Sequence, residues 1–301
     1  MKNFISKYKG PLILLLCSFL WGTTFVAQSI GSNTVGPYTF TGLRFIISGV
    51  ILLIVYLIIN RKNLFKGVSK KVFIYAVITG LALTGGSILQ QIGISFSKSA
   101  GKSAFITSLY IVFVPIFSVI LGKKLKINRI VSVGVALVGL YLIASKGKFT
   151  FDVGDIYLVL SAIVFAIQIM LVDYTSKKMD SILLCAIEFL VTGIIGSSLM
   201  FIFEKPSIPD ISNSILPILY SAIISGCFAY LFQIIGQKTT NPTVASLIMS
   251  LESVFALISG IIVLKETLIL KEAIGCILLF GSIILSEINF KKHKTLNNKD
   301  I

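Results

Sequence analysis

Long apolar runs, separated by short charged or Gly/Pro-containing breaks, occupy most of this 301-residue sequence. A helix needs about 20 apolar residues to cross the roughly 30 Å hydrocarbon core of a bilayer. Windows of this kind predict ten transmembrane segments, at residues 11–30, 38–59, 72–95, 103–121, 128–145, 154–172, 182–203, 215–236, 244–264 and 268–288. Only 13% of the residues are charged, against about 25% in a soluble protein. The sequence therefore predicts an all-α integral membrane protein.

The basic residues indicate how the chain is oriented. It has 27 Lys and Arg against 12 Asp and Glu, a balance that in a soluble protein would suggest nucleic-acid binding. Here they are dispersed over short loops and tails, where orientation signals and anionic lipid headgroups account for them. Most lie on the side of the N-terminus, so the positive-inside rule predicts that both termini are cytoplasmic. We expect a multi-pass protein of the cell membrane that contacts lipid and binds no nucleic acid.

Residues suited to metal or redox chemistry are few. The four cysteines lie in separate apolar runs without CxxC spacing, and the single histidine, His293, is in the C-terminal tail. Such cysteines are typical small buried residues. The sequence has no GxxxxGK[ST] motif, so nucleotide hydrolysis is not expected. We predict no metal, no organic cofactor and no catalytic residue.

The two halves of the sequence resemble each other. TSLYIVFVPIF at 107–117 aligns with MSLESVFALIS at 249–259, and LRFIISG at 43–49 aligns with IEFLVTG at 187–193. Each half contains five predicted spans, and an odd number makes the second copy enter the membrane from the opposite side. Inverted repeats of this kind are typical of secondary transporters, whose substrate site lies near the midplane between the repeats. The expected units are 1–148, 149–290 and a basic cytoplasmic tail, 291–301.

Three motifs carry a family resemblance. LWGTTFV at 20–26, GLRF at 42–45 and SLESVFALISGIIVLKETL at 250–268, together with the duplicated plan, resemble the EamA family of the drug/metabolite transporter superfamily. The resemblance implies two inverted five-helix repeats, with the first four helices of each around a central cavity and the fifth and tenth outside. It also implies small metabolite substrates, commonly amino acids and related solutes, often exported from the cytoplasm.

The sequence departs from the family pattern in two places. Gly122, Lys123 and Lys124 stand where the family usually has Gly-Glu, although Glu266 is present in the second half. Ile111 and Ser253 stand where a proline is expected in the fourth and ninth spans. A local helix break is therefore in doubt there, although Pro115 can supply one a turn later.

Arg44 is a charge inside the second predicted span. An intramembrane charge costs at least about 2.5–3.5 kcal/mol at the bilayer centre and tends to face the bundle interior. Arg44 lies roughly 8 Å inside the outer edge of its span at about 1.5 Å per residue. It can snorkel to outer headgroups or bind backbone carbonyls, or it can hold a substrate carboxylate or phosphate. The repeat places Glu188 at the matching position, at the opposite depth, so we expect gating or structural roles and no direct pair.

Glu252 lies near the predicted midplane of the ninth span, and its repeat mate is Tyr110. A carboxylate there must be paired, solvated or protonated. It is a candidate for binding a cationic group or a proton, against a structural hydrogen bond. We predict a substrate site from this pair and the polar or aromatic residues Trp21, Thr24, Gln90, Gln91, Gln168, Tyr230 and Gln233. Each of these can also serve only to form a hydrogen bond between helices.

The sequence thus favours a secondary transporter that exposes a small solute alternately to each side. Proton coupling and uncoupled diffusion both remain open. The alternative is a membrane enzyme acting on a lipid or isoprenoid, which would need paired carboxylates for Mg²⁺. Asp173 with Asp180, and Asp152 with Asp155, are unconvincing pairs. The glycines at positions 134, 139, 275 and 281 let the fifth and tenth helices approach a neighbour, although none forms a strict GxxxG motif. They can serve helix packing within the chain or a homodimer through these two helices.

Overall fold

The computed structural model describes residues 2–61, 68–97, 99–144, 152–265 and 267–287. Within these ranges the chain is helical, with short turns and no β-strand. Part of the basic loop after the second span (62–67), Glu266 and the tail 291–301 lie outside the described residues.

Fourteen α-helices follow one another in the described chain. They are α1 Lys2–Gly31, α2 Pro37–Ile59, α3 Lys70–Phe96, α4 Ala100–Thr107, α5 Tyr110–Ile120, α6 Ile127–Ala144, α7 Val153–Thr175, α8 Ser181–Leu199, α9 Ile208–Asn213, α10 Ile215–Tyr220, α11 Leu231–Gln237, α12 Pro242–Met249, α13 Glu252–Val263 and α14 Leu270–Glu287. Two π-helical stretches add to these: Met200–Glu204 continues α8, and Ser221–Tyr230 joins α10 to α11.

Eight stretches of the described chain are long and apolar enough to cross a membrane. They are Tyr8–Gly31, Pro37–Ile59, Lys70–Phe96, Ala100–Ile120, Val153–Thr175, Ser181–Glu204, Ile215–Gln237 and Pro242–Val263. The fifth predicted segment is a shorter apolar helix, Ile127–Ile143, and α14 occupies the position of the tenth. The protein is therefore a multi-pass membrane protein, as the apolar runs predict.

Two spans are interrupted near their middle by a tight turn. α4 gives way to α5 around Ser108, and α12 gives way to α13 around Ser250. The amide of Ile111 donates to the Ser108 carbonyl at 3.1 Å, and that of Ser253 donates to the Ser250 carbonyl at 3.1 Å. These bonds reach back three residues, which is the tighter 3₁₀ pattern. The interruption that the missing prolines put in doubt is therefore present in both spans, while Pro115 lies inside α5.

α6 and α14 approach each other closely at two glycines. A Cβ built on Gly139 would lie 2.8 Å from the Gly275 carbonyl oxygen, and one on Gly275 would lie 2.5 Å from the Gly139 oxygen. Neither position leaves room for a side chain, so these two glycines serve a contact within one chain. Gly134 and Gly281 are exposed and have no atom within 4 Å of a Cβ built on them.

The two halves of the chain interlock elsewhere in the bundle. α2 packs along α8, α3 packs along α7, and α1 packs against α11 and α13. Each of these pairs joins a helix of the first half to one of the second. Polar side chains on the facing surfaces are consequently brought together from distant parts of the sequence.

Candidate functional site

A pocket lies inside the bundle, where helices of both halves meet. It has about 450 Å³ of empty space, counting the part that is open to solvent. Nine residues singled out from the sequence line it: Trp21, Thr24, Arg44, Gln90, Tyr110, Gln168, Tyr230, Gln233 and Glu252. Six others complete the lining: Phe25, Gln28, Thr107, Phe165, Ile169 and Ser225.

Glu252 is held where the two tight turns meet. It is the first residue of α13 and is only 3% exposed. The Tyr110 hydroxyl donates to Glu252 Oε1 at 3.0 Å, and Ser108 Oγ donates to the same oxygen at 3.3 Å. The repeat mates therefore bind each other directly. No described residue donates to Glu252 Oε2.

Arg44 points into the bundle and does not snorkel to the headgroups. It is 3% exposed, and its Nη1 donates to Gln28 Oε1 at 2.9 Å. The guanidinium carbon lies 4.7 Å from the centre of the Phe45 ring, within cation–π range. Its Nε has no hydrogen-bond partner in the described chain. The guanidinium thus retains donor capacity next to the pocket.

Gln91 and Glu188 lie behind the pocket wall. Gln91 Nε2 donates to the Gln28 carbonyl at 3.3 Å, and so supports the residue that Arg44 contacts. Glu188 is fully buried, and its Oε2 accepts from Gln168 Nε2 at 3.2 Å. Gln168 Oε1 in turn accepts from Gln233 Nε2 at 3.1 Å. Glu188 does not line the pocket itself and is connected to it through Gln168, which does.

Tyr230 forms the centre of an aromatic cluster beside the charges. Its ring centre lies 4.9 Å from that of Trp21, 5.4 Å from that of Phe189 and 5.9 Å from that of Phe45. Edge-on contacts of this kind favour a fixed arrangement of the rings. Two rings of this cluster, Trp21 and Tyr230, line the pocket beside its charged and amide-bearing groups.

Gln28 is one of three polar lining residues that the sequence reasoning missed, with Thr107 and Ser225. It lies in the first apolar run, like Trp21 and Thr24, and it is 3% exposed. A polar side chain in a predicted span was the available signal. The missed apolar residues Phe25, Phe165 and Ile169 gave no such signal, since apolar residues are normal throughout a span.

The carboxylate pairs considered for an enzyme site are engaged in structural contacts. Asp173 forms ion pairs with Lys123 at 2.8 Å and with Lys177 at 2.6 Å. Asp152 and Asp155 form a capping box at the start of α7 and bind Lys102 Nζ at 3.0 and 2.8 Å. Asp180 caps α8. Among the described residues no group of three His, Cys, Asp or Glu side chains could hold a metal ion.

The sequence matches a known family twice, once in each half. The profile of the EamA-like transporter family matches residues 8–145 and 152–288. Similar proteins include an uncharacterized transporter of Archaeoglobus fulgidus, 27% identical over 93% of this chain and 86% of the relative. The uncharacterized transporter YoaV of Bacillus subtilis is 24% identical over 95% of this chain and 99% of its own length. Protein PagO of Salmonella typhimurium is 28% identical over 80% of this chain and 81% of its own length.

The fold is also found among solved structures. A protein crystal structure superposes with a TM-score of 0.77 at 18% identity, covering 93% of this chain and 97% of that one. The family match extends over nearly the whole described chain, and the similar proteins cited above include transporters. The chain therefore belongs to the EamA-like transporter family, which identifies it as a membrane solute transporter and not as an enzyme.

Proposed function

We propose that this protein is a secondary transporter that moves a small zwitterionic solute, of the amino-acid class, out of the cytoplasm by alternating access. The observation that carries the proposal is one pocket with a guanidinium and a carboxylate that do not pair with each other. Arg44 and Glu252 both line it, and no ion pair joins them in the described chain.

The charges suit the two ends of an amino acid. A guanidinium binds a carboxylate through two parallel hydrogen bonds, and Arg44 has an unpartnered Nε. Glu252 Oε2 is available to an ammonium group, while Tyr110 and Ser108 fix the other oxygen. Trp21, Phe25 and the other apolar lining residues would then face the solute side chain. Unpaired charges inside a membrane protein are costly unless a ligand or solvent compensates them, which supports binding a dipolar solute.

Alternating access is proposed from the arrangement of the halves as inverted five-helix repeats, 1–148 and 149–290. It is supported by the matching turns at Ser108 and Ser250, by the two family matches, and by the contact of Tyr110 with its repeat mate Glu252. In such repeats the site lies at the symmetry axis, and rocking of one repeat against the other exposes it in turn.

The orientation and location are part of the same proposal. The excess of Lys and Arg on one side supports cytoplasmic termini in the cell membrane. We also propose membrane lipid as a partner and a homodimer through the exposed faces of α6 and α14, where Gly134 and Gly281 lie. Chemical crosslinking of the protein in its native membrane tests the dimer, with a Gly134→Leu variant expected to reduce crosslinking.

Three matched probes test the substrate class. Leucine carries both charged groups, 3-methylbutylamine lacks the carboxylate, and 4-methylpentanoate lacks the ammonium. We expect leucine to raise the melting temperature of the purified protein most. Arg44→Gln should weaken binding of leucine and 4-methylpentanoate by about ten- to a hundredfold and spare the amine. Glu252→Gln should weaken leucine and the amine and spare the acid.

Flux of labelled leucine into proteoliposomes then measures transport. Both variants should lose flux, whereas Asp210→Asn, a change in a capping residue of α9 that does not line the pocket, should transport normally. Normal flux in both pocket variants, with an unchanged preference among the three probes, would mean that Arg44 and Glu252 do not bind the solute. Turnover of a lipid without any solute flux would favour the enzyme alternative.

A further inference from the structure

Two neighbouring pockets at one end of the bundle share the lysines Lys177 and Lys238. The first is also lined by Tyr56, Val68, Ser176, Lys178, Met179 and Asp180. The second is also lined by Lys123, Asp173, Thr239, Thr240, Asn241 and Pro242. Their empty volumes are about 760 and 460 Å³, counting space open to solvent. Three turns converge here, those between α5 and α6, α7 and α8, and α11 and α12.

Positive charge exceeds negative charge in this region. Of the two carboxylates, Asp173 is occupied by Lys123 at 2.8 Å and Lys177 at 2.6 Å. Asp180 Oδ1 accepts the first amides of α8 at 2.9 and 3.1 Å. Lys238 forms no ion pair with any residue in the described part of the chain. Its ammonium group is therefore uncompensated beside a second lysine.

A buried hydroxyl adds a donor to the same region. Ser176 is 1% exposed, lines the first pocket, and its Oγ has no hydrogen-bond partner among the described residues. The region also borders the N-terminal ends of α8 and α12. Helix N-termini carry partial positive charge and favour anions. Asp180 and Asn241 already cap the first amides of these two helices. The donors left without an acceptor in the described chain are therefore the Lys238 ammonium and the Ser176 hydroxyl.

We propose that the space between Lys177 and Lys238 is a binding site for an oxyanion, a phosphate or carboxylate group. The same chemistry can come from a soluble anion or from the headgroup of an anionic lipid. By the proposed orientation these turns are cytoplasmic, on the side where anionic lipids attract basic residues. The site is separate from the central pocket, because the two share no lining residue.

Binding is measured on the detergent-purified full chain, without transport. The melting temperature is followed against inorganic phosphate, with sodium chloride at matched ionic strength, and against phosphatidylglycerol, with phosphatidylcholine as the uncharged reference. We expect saturable stabilisation that Lys238→Gln weakens by about tenfold in Kd. Lys124→Gln is the matched control, since Lys124 is exposed in the α5–α6 turn and lines neither pocket. Ser176→Ala is a second variant, expected to weaken binding less.

The outcomes separate the two sources. A response to phosphate indicates a soluble oxyanion, and a response to phosphatidylglycerol alone indicates a headgroup; each supports the site if Lys238→Gln reduces it. No saturable response to either probe overturns the proposal, as does an equal loss in Lys124→Gln and Lys238→Gln. If Lys238→Gln does not fold, Lys177→Gln takes its place against the control Lys124→Gln. An equal loss in these two variants, together with an unchanged affinity in Ser176→Ala, then overturns the proposal. None of these results depends on leucine transport, so the proposed function is tested separately.

Discussion

Glu204 holds the N-terminus of α2 from the other half of the chain. Its Oε1 accepts the Tyr38 amide at 2.8 Å, and its Oε2 accepts the Thr39 amide at 2.7 Å and the Thr39 hydroxyl at 2.6 Å. The N-cap residue of α2 is Gly36, which makes no side-chain capping bond. Glu204 therefore replaces the Ser or Asp that normally satisfies the first amides of a helix.

Glu204→Ala removes three charge-assisted hydrogen bonds from one helix end. Loss of an N-cap costs about 0.5–2 kcal/mol, and a hydrogen bond to a charged group contributes about 1.5–3 kcal/mol. Because Glu204 is only half-buried, water can replace part of what is lost. We therefore expect the free energy of unfolding to fall by about 2–3 kcal/mol in total, or the melting temperature by about 5 °C.

Thermal unfolding of the purified protein in detergent measures this difference. Glu204→Gln should give an intermediate value, because its carbonyl oxygen can still accept but carries no charge. Asp210→Ala is the control, an acidic capping residue on the short, exposed helix α9, and should change the melting temperature much less. The reasoning is refuted if Glu204→Ala has the same melting temperature as the unmodified protein, or if the control melts at a lower temperature than Glu204→Ala.

Three further predictions concern stability. Ser108→Ala and Tyr110→Phe remove donors to the same Glu252 oxygen. The free energy of unfolding of the double variant should therefore fall by about 1–3 kcal/mol, which is more than the sum of the two single losses. Additive losses in a double-mutant cycle contradict a shared acceptor. Gly275→Ala should lower the melting temperature because its Cβ would lie 2.5 Å from a backbone oxygen, whereas the Cβ of Gly134→Ala would lie in open space. Equal melting temperatures of the two variants contradict the close α6–α14 contact. Partial burial acts to raise the pKa of Asp152, but the hydrogen bond and charge of Lys102 outweigh it and hold that pKa below its usual value. The stabilisation by Asp152 is thus present at neutral pH and lost as pH falls below about 4. The melting temperature of Asp152→Asn should therefore be lower than that of the unmodified protein near neutral pH and equal to it in acid. A difference in melting temperature that persists in acid excludes the Asp152 charge as its cause.

The central pocket shows how much of a site can be predicted from the residue pattern within single segments. Polar residues stand out in apolar runs, and the internal repeat aligns Tyr110 with Glu252 in the sequence itself. Most of the pocket lining was predictable for that reason. The same repeat gave no means of deciding whether aligned residues meet, because an inverted copy can place them at one depth or at opposite depths. Tyr110 and Glu252 meet, whereas Arg44 and Glu188 make separate contacts.

The sequence by itself determined that the chain spans a membrane, since the cost of burying charge and unpaired backbone in lipid acts on each segment separately. It also indicated the duplication and the family. Only the tertiary structure decided that Arg44 lies inside the bundle against Gln28, that Glu188 reaches the pocket through Gln168, and that Gly139 and Gly275 join α6 to α14. These contacts join residues of different helices, and hydropathy along one segment carries no information about which partner packs against it.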